Sequence, residues 1–230
     1  IGRLFFRQAF GNKNINIVAI NDLGNVDNLA YLLKYDTVYG EFPKSVEVQG
    51  EDLIVGGKRI KCLQGKEPKK LPWKKLGIDI VVEATGVFDS YTAAKDHLRA
   101  GAKRVVITAP ADDSDGKDGA TVLVGLNEDR LKTVKLSSNA SCTTNAASPV
   151  IAILEEKFGI EKAMLSTVHG YTATQSLVDG PVRGHDLRRG RAAAVNIVPS
   201  STGAAQAVAK AIPHLEGKFD GIAFRVPVVS

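Results

Sequence analysis

The chain has 230 residues, enough for one large domain or two modest ones, and its 44% hydrophobic and 24% charged content is ordinary for a globular protein. No apolar run approaches the ~20 residues that span a bilayer, and two cysteines, Cys62 and Cys142, are too few for a disulfide framework and suit a reducing compartment. The formal charge of +5 is mild. Its denser stretches, Lys66 to Lys75 and Arg183 to Arg191, lack the interleaved aromatics of a single-stranded nucleic-acid groove, so neither membrane nor nucleic acid is indicated.

In chain order, Leu4, Phe5, Gln8 and Ala9 read as a helix that Gly11 stops. A buried-strand run, Ile15 to Ile20, ends in Asn21-Asp22. A glycine opening a helix (Gly2) and an acid 20 positions later at a strand end (Asp22) match the second half of a dinucleotide-binding βαβ unit. The glycine lets helix and strand pack closely, and the carboxylate accepts hydrogen bonds from ribose hydroxyls. The same carboxylate repels a 2′-phosphate, so NAD is expected in preference to NADP.

Residues 28–34 read as a short helix. Residues 45–49, 53–55 and 58–63 alternate as strands, with Gly56-Gly57 as a hairpin turn, which predicts a mixed sheet. Cys62 reads as a packing residue on the last of these. An apolar strand over 78–84 opens into Thr85-Gly86, the crevice end at which doubly wound sheets bind nucleotides. A helix over 91–100 capped by Gly101 and a strand over 104–108 follow. The acidic run 112–119 lacks the terminal glutamate of a calcium loop and reads as a solvated turn. Short strands are expected over 121–125 and 132–136.

Cys142 lies where the strand-like run Thr133 to Leu136 gives way to a helical pattern of Val150, Ile151, Ile153, Leu154 and Phe158. A cysteine at the mouth of a helix meets free backbone N–H groups and the positive end of the dipole, which favour the thiolate. His169, 27 residues on, closes a strand-like stretch from Ala163 to Val168 and can present its imidazole at a sheet edge. Together the two make a nucleophile with an acid/base partner. Beyond them come an irregular stretch over 175–195, a helix over 203–211 stopped by Pro213, and a strand over 219–229. A structureless segment of that length is usually functional.

Ser138-Asn139-Ala140-Ser141-Cys142-Thr143-Thr144-Asn145 resembles the active-site signature of the phosphorylating glyceraldehyde-3-phosphate dehydrogenase family. It is joined, in the family's order, by Thr167-Val168-His169, Thr172-Ala173-Thr174-Gln175, Ser201-Thr202-Gly203-Ala204-Ala205 and Ala223-Phe224-Arg225-Val226-Pro227. The resemblance covers essentially the whole chain. It implies an α/β protein with a Rossmann-type doubly wound NAD-binding domain over residues 1–140 and an α+β catalytic domain over 141–230. It also implies a fragment, without the N-terminal strand and glycine loop and without roughly a hundred C-terminal residues.

The implied reaction is oxidation and phosphorylation of D-glyceraldehyde 3-phosphate to 1,3-bisphosphoglycerate with NAD reduced. Cys142 would attack the aldehyde and His169 would move the protons. Thr172 and Arg225 would hold the substrate's phosphate. Ser141, Thr143, Arg189, Thr202 and Gly203 would surround the attacking phosphate or position substrate. Ile1, Gly2, Asp22, Lys66, Thr85, Gly86 and Thr108 would meet the cofactor, Ile1 beside the pyrophosphate and Lys66 on the adenine side. No metal is implied. The family is tetrameric and cytoplasmic, with the 175–195 loop at a subunit interface. Two alternatives stay open: erythrose-4-phosphate dehydrogenase, which releases a free acid, and a non-catalytic nucleotide-binding fragment.

Overall fold

The computed structural model describes residues 1–182 and 185–229. Arg183, counted above in the basic stretch and in the 175–195 loop, falls outside them. The chain divides into two compact units. One holds Ile1–Asp113 and Lys135–Ser137, and the other holds Ser114–Val134 and the chain from Ser138 onward.

In the first unit, α1 (Gly2–Ala9) buries Phe6 and Ala9, and Gly11 turns the chain at φ 93°. The strand expected over 15–20 is shorter: β1 is Ala19–Asn21, because the Asn12 side chain accepts Asn14 N and its carbonyl accepts Ile15 N, holding the entry in a turn. Asn25 caps α2 (Val26–Lys34) by accepting Asp27 N. A short hairpin of β2 (Tyr35–Asp36) and β3 (Gly40–Glu41) follows. β4 (Val46–Gln49), β5 (Asp52–Val55) and β6 (Lys58–Leu63) are joined antiparallel, with Gly56 and Gly57 at φ 53° and 79° in the tight turn. β6 also pairs parallel with β1, so the sheet order is β1-β6-β5-β4 and the sheet is mixed, as the hairpin predicts. Leu53, Val55, Ile60, Phe6, Leu33 and Phe42 form its core, with Cys62 packed against it.

β7 (Ile80–Glu83) and β8 (Arg104–Ile107) run parallel, joined by α3 (Tyr91–Arg99), whose cap Ser90 accepts Ala93 N. Parallel neighbours need such a crossover. Trp73, Val81, Tyr91, Val105, Ile107 and Leu136 make a second core in this unit.

The chain then enters the second unit. Its first strand, β9, is Gly119–Thr121 rather than 121–125, because Asn127 donates to Thr121 O and accepts from Leu123 N, turning the backbone. The strand expected over 132–136 is displaced to β10 (Leu136–Ser138). Residues 128–132 form a 3₁₀ turn, and the Thr133 hydroxyl donates back to Arg130 O. β10 is also where the chain passes from the first unit back into the second.

α4 (Cys142–Phe158) begins eight residues earlier than the apolar pattern implies, and Pro149 lies inside it. β11 (Ala163–Tyr171) pairs parallel with the strand 219–229, and β12 (Val198–Ser200) pairs antiparallel with that same strand. α5 (Ala204–Ala211) comes between, and the 219–229 strand is β13 (Phe219–Val229). The two-residue period of a strand puts Ala163, Leu165 and His169 on one face of β11. Ala163 and Leu165 pack against Ile151 of α4, Ala205 and Val208 of α5, and Leu215 and Phe219.

Candidate active site

Cys142 owes its position to a strained and heavily bonded turn. Ala140 is the sole described non-glycine residue with positive φ (54°), and its side chain is buried. A residue with a Cβ costs about 1 kcal/mol or more there, so the surroundings must enforce it. Ser138 Oγ accepts Ala140 N at 3.0 Å, and Asn145 Nδ2 donates to Asn139 O at 2.7 Å and to Ser141 O at 2.9 Å. Ser141 is the N-cap, accepting Thr144 N at 3.1 Å, so Cys142 occupies the first position of a 17-residue helix and is exposed. Its Sγ therefore stands beside the first-turn N–H groups, which have no partner within the helix.

Across from it, His169 Nε2 is 3.2 Å from Cys142 Sγ. Parallel register places Arg225 of β13 directly beside His169. Arg225 Nη1 donates to His169 Nδ1 at 2.9 Å, while the same Nδ1 lies 2.6 Å from Gly170 O. These two contacts ask for opposite states. A guanidinium needs a bare Nδ1, which leaves the proton on Nε2, facing the sulfur; a carbonyl needs Nδ1–H, which the doubly protonated ring and the neutral Nδ1–H tautomer both supply. His169 is thus held by partners that serve both its neutral and its charged forms. Arg225 also reaches Gly170 O at 3.3 Å, a second resting point for the same group.

Arg225 is half-buried, and its proton affinity is lowered first by that burial and then by Arg189, with opposition from Cys142. Its Nε is buried without a partner. A half-buried guanidinium that feels the charge of Arg189 and keeps a spare donor fits an anionic ligand. Arg189 is anchored in turn: Nε donates to Ser200 Oγ at 3.0 Å, and Nη1 lies 3.5 Å from Thr174 Oγ1, which contacts Thr172 Oγ1 at 3.0 Å. Asp186 accepts from Ser200 Oγ and from Arg188, and Arg188, then Ser200 and Arg189, hold its carboxyl down at about 2 against the opposing effect of burial.

Of the residues singled out in the sequence, Cys142, His169 and Arg225 form one chain of contacts and Arg189 and Thr172 meet in another through Thr174, while the charge of Arg189 acts on Arg225. Ser141 and Thr143 flank the sulfur along the backbone. Thr202 accepts Ala204 N at 3.2 Å and serves with Gly203 as the head of α5. The sequence reading missed Thr174, Asp186 and Ser200, which position Arg189, and Gln175, whose amide is buried with neither atom bonded.

The first unit holds the residues read as cofactor contacts. α1 opens at Gly2 behind Ile1, which provides no side-chain cap, so its first N–H groups are left to an outside acceptor. A Cβ on Gly2 would lie 3.4 Å from Ala84 Cβ, the close packing that glycine permits. Asp22 follows β1, and its Oδ1 accepts Gly24 N at 2.7 Å. Thr85 and Gly86 (φ 66°) turn at the end of β7. Thr108 N and Oγ1 both donate to Glu83 O, at 2.9 and 3.1 Å. Lys66 is exposed. An uncapped helix start against a strand end, with a carboxylate closing the next strand, fits a dinucleotide.

Family models match on both sides of the chain. Residues 1–91 match the glyceraldehyde 3-phosphate dehydrogenase NAD binding domain, and residues 141–230 match the C-terminal domain of the same family. The chain belongs to the glyceraldehyde 3-phosphate dehydrogenase family. Its relatives include glyceraldehyde-3-phosphate dehydrogenase 1 of Kluyveromyces marxianus, 50% identical across 99% of this chain and 68% of the relative. The glyceraldehyde-3-phosphate dehydrogenase 1 of Trichormus variabilis is also 50% identical, and the glyceraldehyde-3-phosphate dehydrogenase 2 of Bacillus subtilis is 48% identical; each match covers 99% of this chain and 66% of the relative. The chain spans about two thirds of the length of these dehydrogenases. The Rossmann NAD-binding and catalytic domains expected from the sequence are those of this family, and NAD is its cofactor. Among the described residues no helix is long and apolar enough to cross a membrane.

Proposed function

We propose that this chain oxidises and phosphorylates D-glyceraldehyde 3-phosphate to 1,3-bisphosphoglycerate through a thioester on Cys142. The observation that carries this reading is the 3.2 Å contact between Cys142 Sγ, at a helix N-terminus, and His169 Nε2. The Cys142 thiolate, paired with the doubly protonated His169 ring, attacks the aldehyde carbon, and the alkoxide that forms takes the Nε2 proton, which leaves a neutral ring protonated on Nδ1. The bare Nε2 then removes the hydroxyl proton of the hemithioacetal as hydride departs, while Nδ1–H goes on donating its hydrogen bond to Gly170 O. The bound nicotinamide supplies the hydride acceptor. An oxygen of inorganic phosphate attacks the thioester carbonyl, the C–S bond breaks, and Cys142 leaves as thiolate beside the helix N-terminus.

Arg225, with its spare Nε, and Thr172 hold the substrate's phosphate. Ser141, Thr143, Arg189, Thr202 and Gly203 surround the attacking phosphate, and the N–H groups at the head of α5 suit its oxygens. Ile1, Gly2, Asp22, Lys66, Thr85, Gly86 and Thr108 line the dinucleotide, and the Asp22 carboxylate disfavours a 2′-phosphate. The domain limits we adopt are residues 1–140 and 141–230. Exposed Leu177, Val178, Leu187 and Val195 support a homotetramer that uses the 175–195 loop, since apolar surface of this kind marks interfaces. Free Cys62 and Cys142 support a reducing, cytoplasmic setting.

The test is NADH formation from glyceraldehyde 3-phosphate with and without inorganic phosphate, in the native enzyme and in Cys142→Ser. Turnover that requires phosphate and vanishes in the variant is expected. Turnover indifferent to phosphate, with the free acid as product, would overturn the phosphorylating reading.

A further inference from the structure

A second histidine in the molecule, absent from the sequence-level site, sits in a fully enclosed relay in the first unit. Trp73 Nε1 donates to His97 Nδ1 at 2.9 Å, and His97 Nε2 is 3.0 Å from Glu83 Oε2. All three side chains are buried, with exposures of 5%, 3% and 5%. An indole N–H is only a donor, so His97 Nδ1 is bare, the ring proton sits on Nε2, and it donates to Glu83. Phe88 meets the imidazole edge-on, closing the side that the polar contacts leave open.

Glu83 is the last residue of β7, and each of its acceptors is engaged. Oε2 takes the His97 proton, and Oε1 takes both Thr85 N at 2.7 Å and Thr85 Oγ1 at 2.5 Å. Its carbonyl takes Thr108 N and Thr108 Oγ1. Thr85 Oγ1 in turn accepts Val87 N, which fixes the turn through Gly86. Burial pushes the Glu83 carboxyl up, but the bonds from His97 and Thr85 outweigh it and hold the group below the ordinary glutamate value. A buried carboxylate costs several kcal/mol unless fully paired. Here the carboxylate is paired by His97 and by Thr85, while Thr108 is tied to the Glu83 backbone carbonyl; Thr85 and Thr108 are both read as cofactor contacts.

We propose that Trp73, His97 and Glu83 form a buried positioning triad that fixes the Thr85–Gly86 turn for dinucleotide binding, beside a Thr108 that the main-chain carbonyl of Glu83 holds. This rests on the reading of Thr85 and Thr108 as cofactor contacts. The chain of hydrogen bonds has a polarity. Trp73 can only donate, so His97 can only pass its proton to an acceptor, and only a carboxylate accepts there while also accepting from Thr85. A glutamine at position 83 puts an NH₂ against either His97 Nε2–H or the Thr85 N–H, so a donor faces a donor in both orientations.

The experiment measures NAD affinity by calorimetry on Glu83→Gln, Trp73→Phe, Thr85→Ala and Thr108→Val, with folding checked by circular dichroism. The rate of Cys142 alkylation without cofactor is followed in parallel. Glu83→Gln is expected to raise the NAD dissociation constant at least tenfold while leaving Cys142 alkylation within twofold of native. Trp73→Phe, which removes one donor and keeps the ring, is expected to shift affinity severalfold and serves if Glu83→Gln does not fold. Imidazole ¹⁵N shifts should place the His97 proton on Nε2 in the native protein, and the Nε2 shift should change in Glu83→Gln as its carboxylate partner is lost. If Thr85→Ala and Thr108→Val weaken NAD binding but folded Glu83→Gln and Trp73→Phe do not, the triad is overturned. If neither threonine variant alters affinity, the cofactor reading of that strand end fails first.

Discussion

His169 and His97 have the same side chain, and each has one nitrogen facing an anionic or nucleophilic group, yet their surroundings point to opposite uses. His97 is enclosed, and its two nitrogens have partners that agree: a donor on Nδ1 and an acceptor on Nε2. No proton can move without breaking a buried bond, so the ring acts as a strut. His169 is partly open, and its Nδ1 has two partners that disagree, Arg225 as donor and Gly170 O as acceptor. With Nδ1–H turned to Gly170 O, Nε2 is left facing Cys142 Sγ to take or give a proton. A histidine suited to acid/base work is therefore marked less by its distance from a nucleophile than by a contested second nitrogen.

The largest effect should come from breaking the contested side. His169→Asn keeps a polar group beside Cys142 but cannot cycle a proton, and kcat should fall by about 10²–10⁴. The rate of Cys142 alkylation should fall with it, measured by iodoacetamide trapping. An Asn substitution at His97 instead should leave alkylation near native, and equal losses at both sites would erase the contrast drawn here.

Next in size is Arg225→Lys. It keeps the charge but loses the fork that serves both phosphate and His169 Nδ1. The KM for glyceraldehyde 3-phosphate should rise by roughly tenfold or more, since a bidentate charge-assisted contact is worth about 1.5–3 kcal/mol. Steady-state kinetics at saturating NAD and phosphate would read it, and an unchanged KM would remove Arg225 from the substrate site.

The smallest effect concerns Asp186, whose folded value of about 2 lies below the ordinary 3.8. A depressed carboxyl stabilises the folded chain above its ordinary value, and that contribution is lost as pH falls through about 2. Asp186→Asn should cost about 1 kcal/mol at neutral pH, roughly 2–4 °C in Tm. The gap between variant and native melting temperatures should close on acidification from pH 4 toward pH 2. A gap independent of pH would assign the loss to packing and not to charge.

These sites differ in how far the sequence announces them. Cys142 and His169 lie in contiguous motifs, and a strand ending in histidine is a local pattern. Asp22 and Gly2 are likewise set by spacing along one βαβ unit. The start of α4 at Cys142 is legible in the change of pattern at the cysteine, although Pro149 and a run of small polar residues mask the helical period before Val150; the Ser141 cap is the local reason for it. The support for Arg189 needs Thr174, Asp186 and Ser200 to meet across up to 26 residues of irregular chain, and no periodicity records that. His97 sits in the last turn of α3, where a histidine reads as a charge facing the helix end. Only the fold shows that it points inward to Trp73 and Glu83.

Trp73 is the single tryptophan of the chain, and its indole N–H is spent on His97. The protein therefore carries one built-in fluorophore, confined to the first unit, while its reactive thiol Cys142 reports on the second. In a Cys62→Ser background, denaturation followed by emission and by the rate of Cys142 labelling on the same sample gives each unit its own optical or chemical clock. Coincident curves would show that the two units melt as one cooperative body, and separated curves would give each its own free energy.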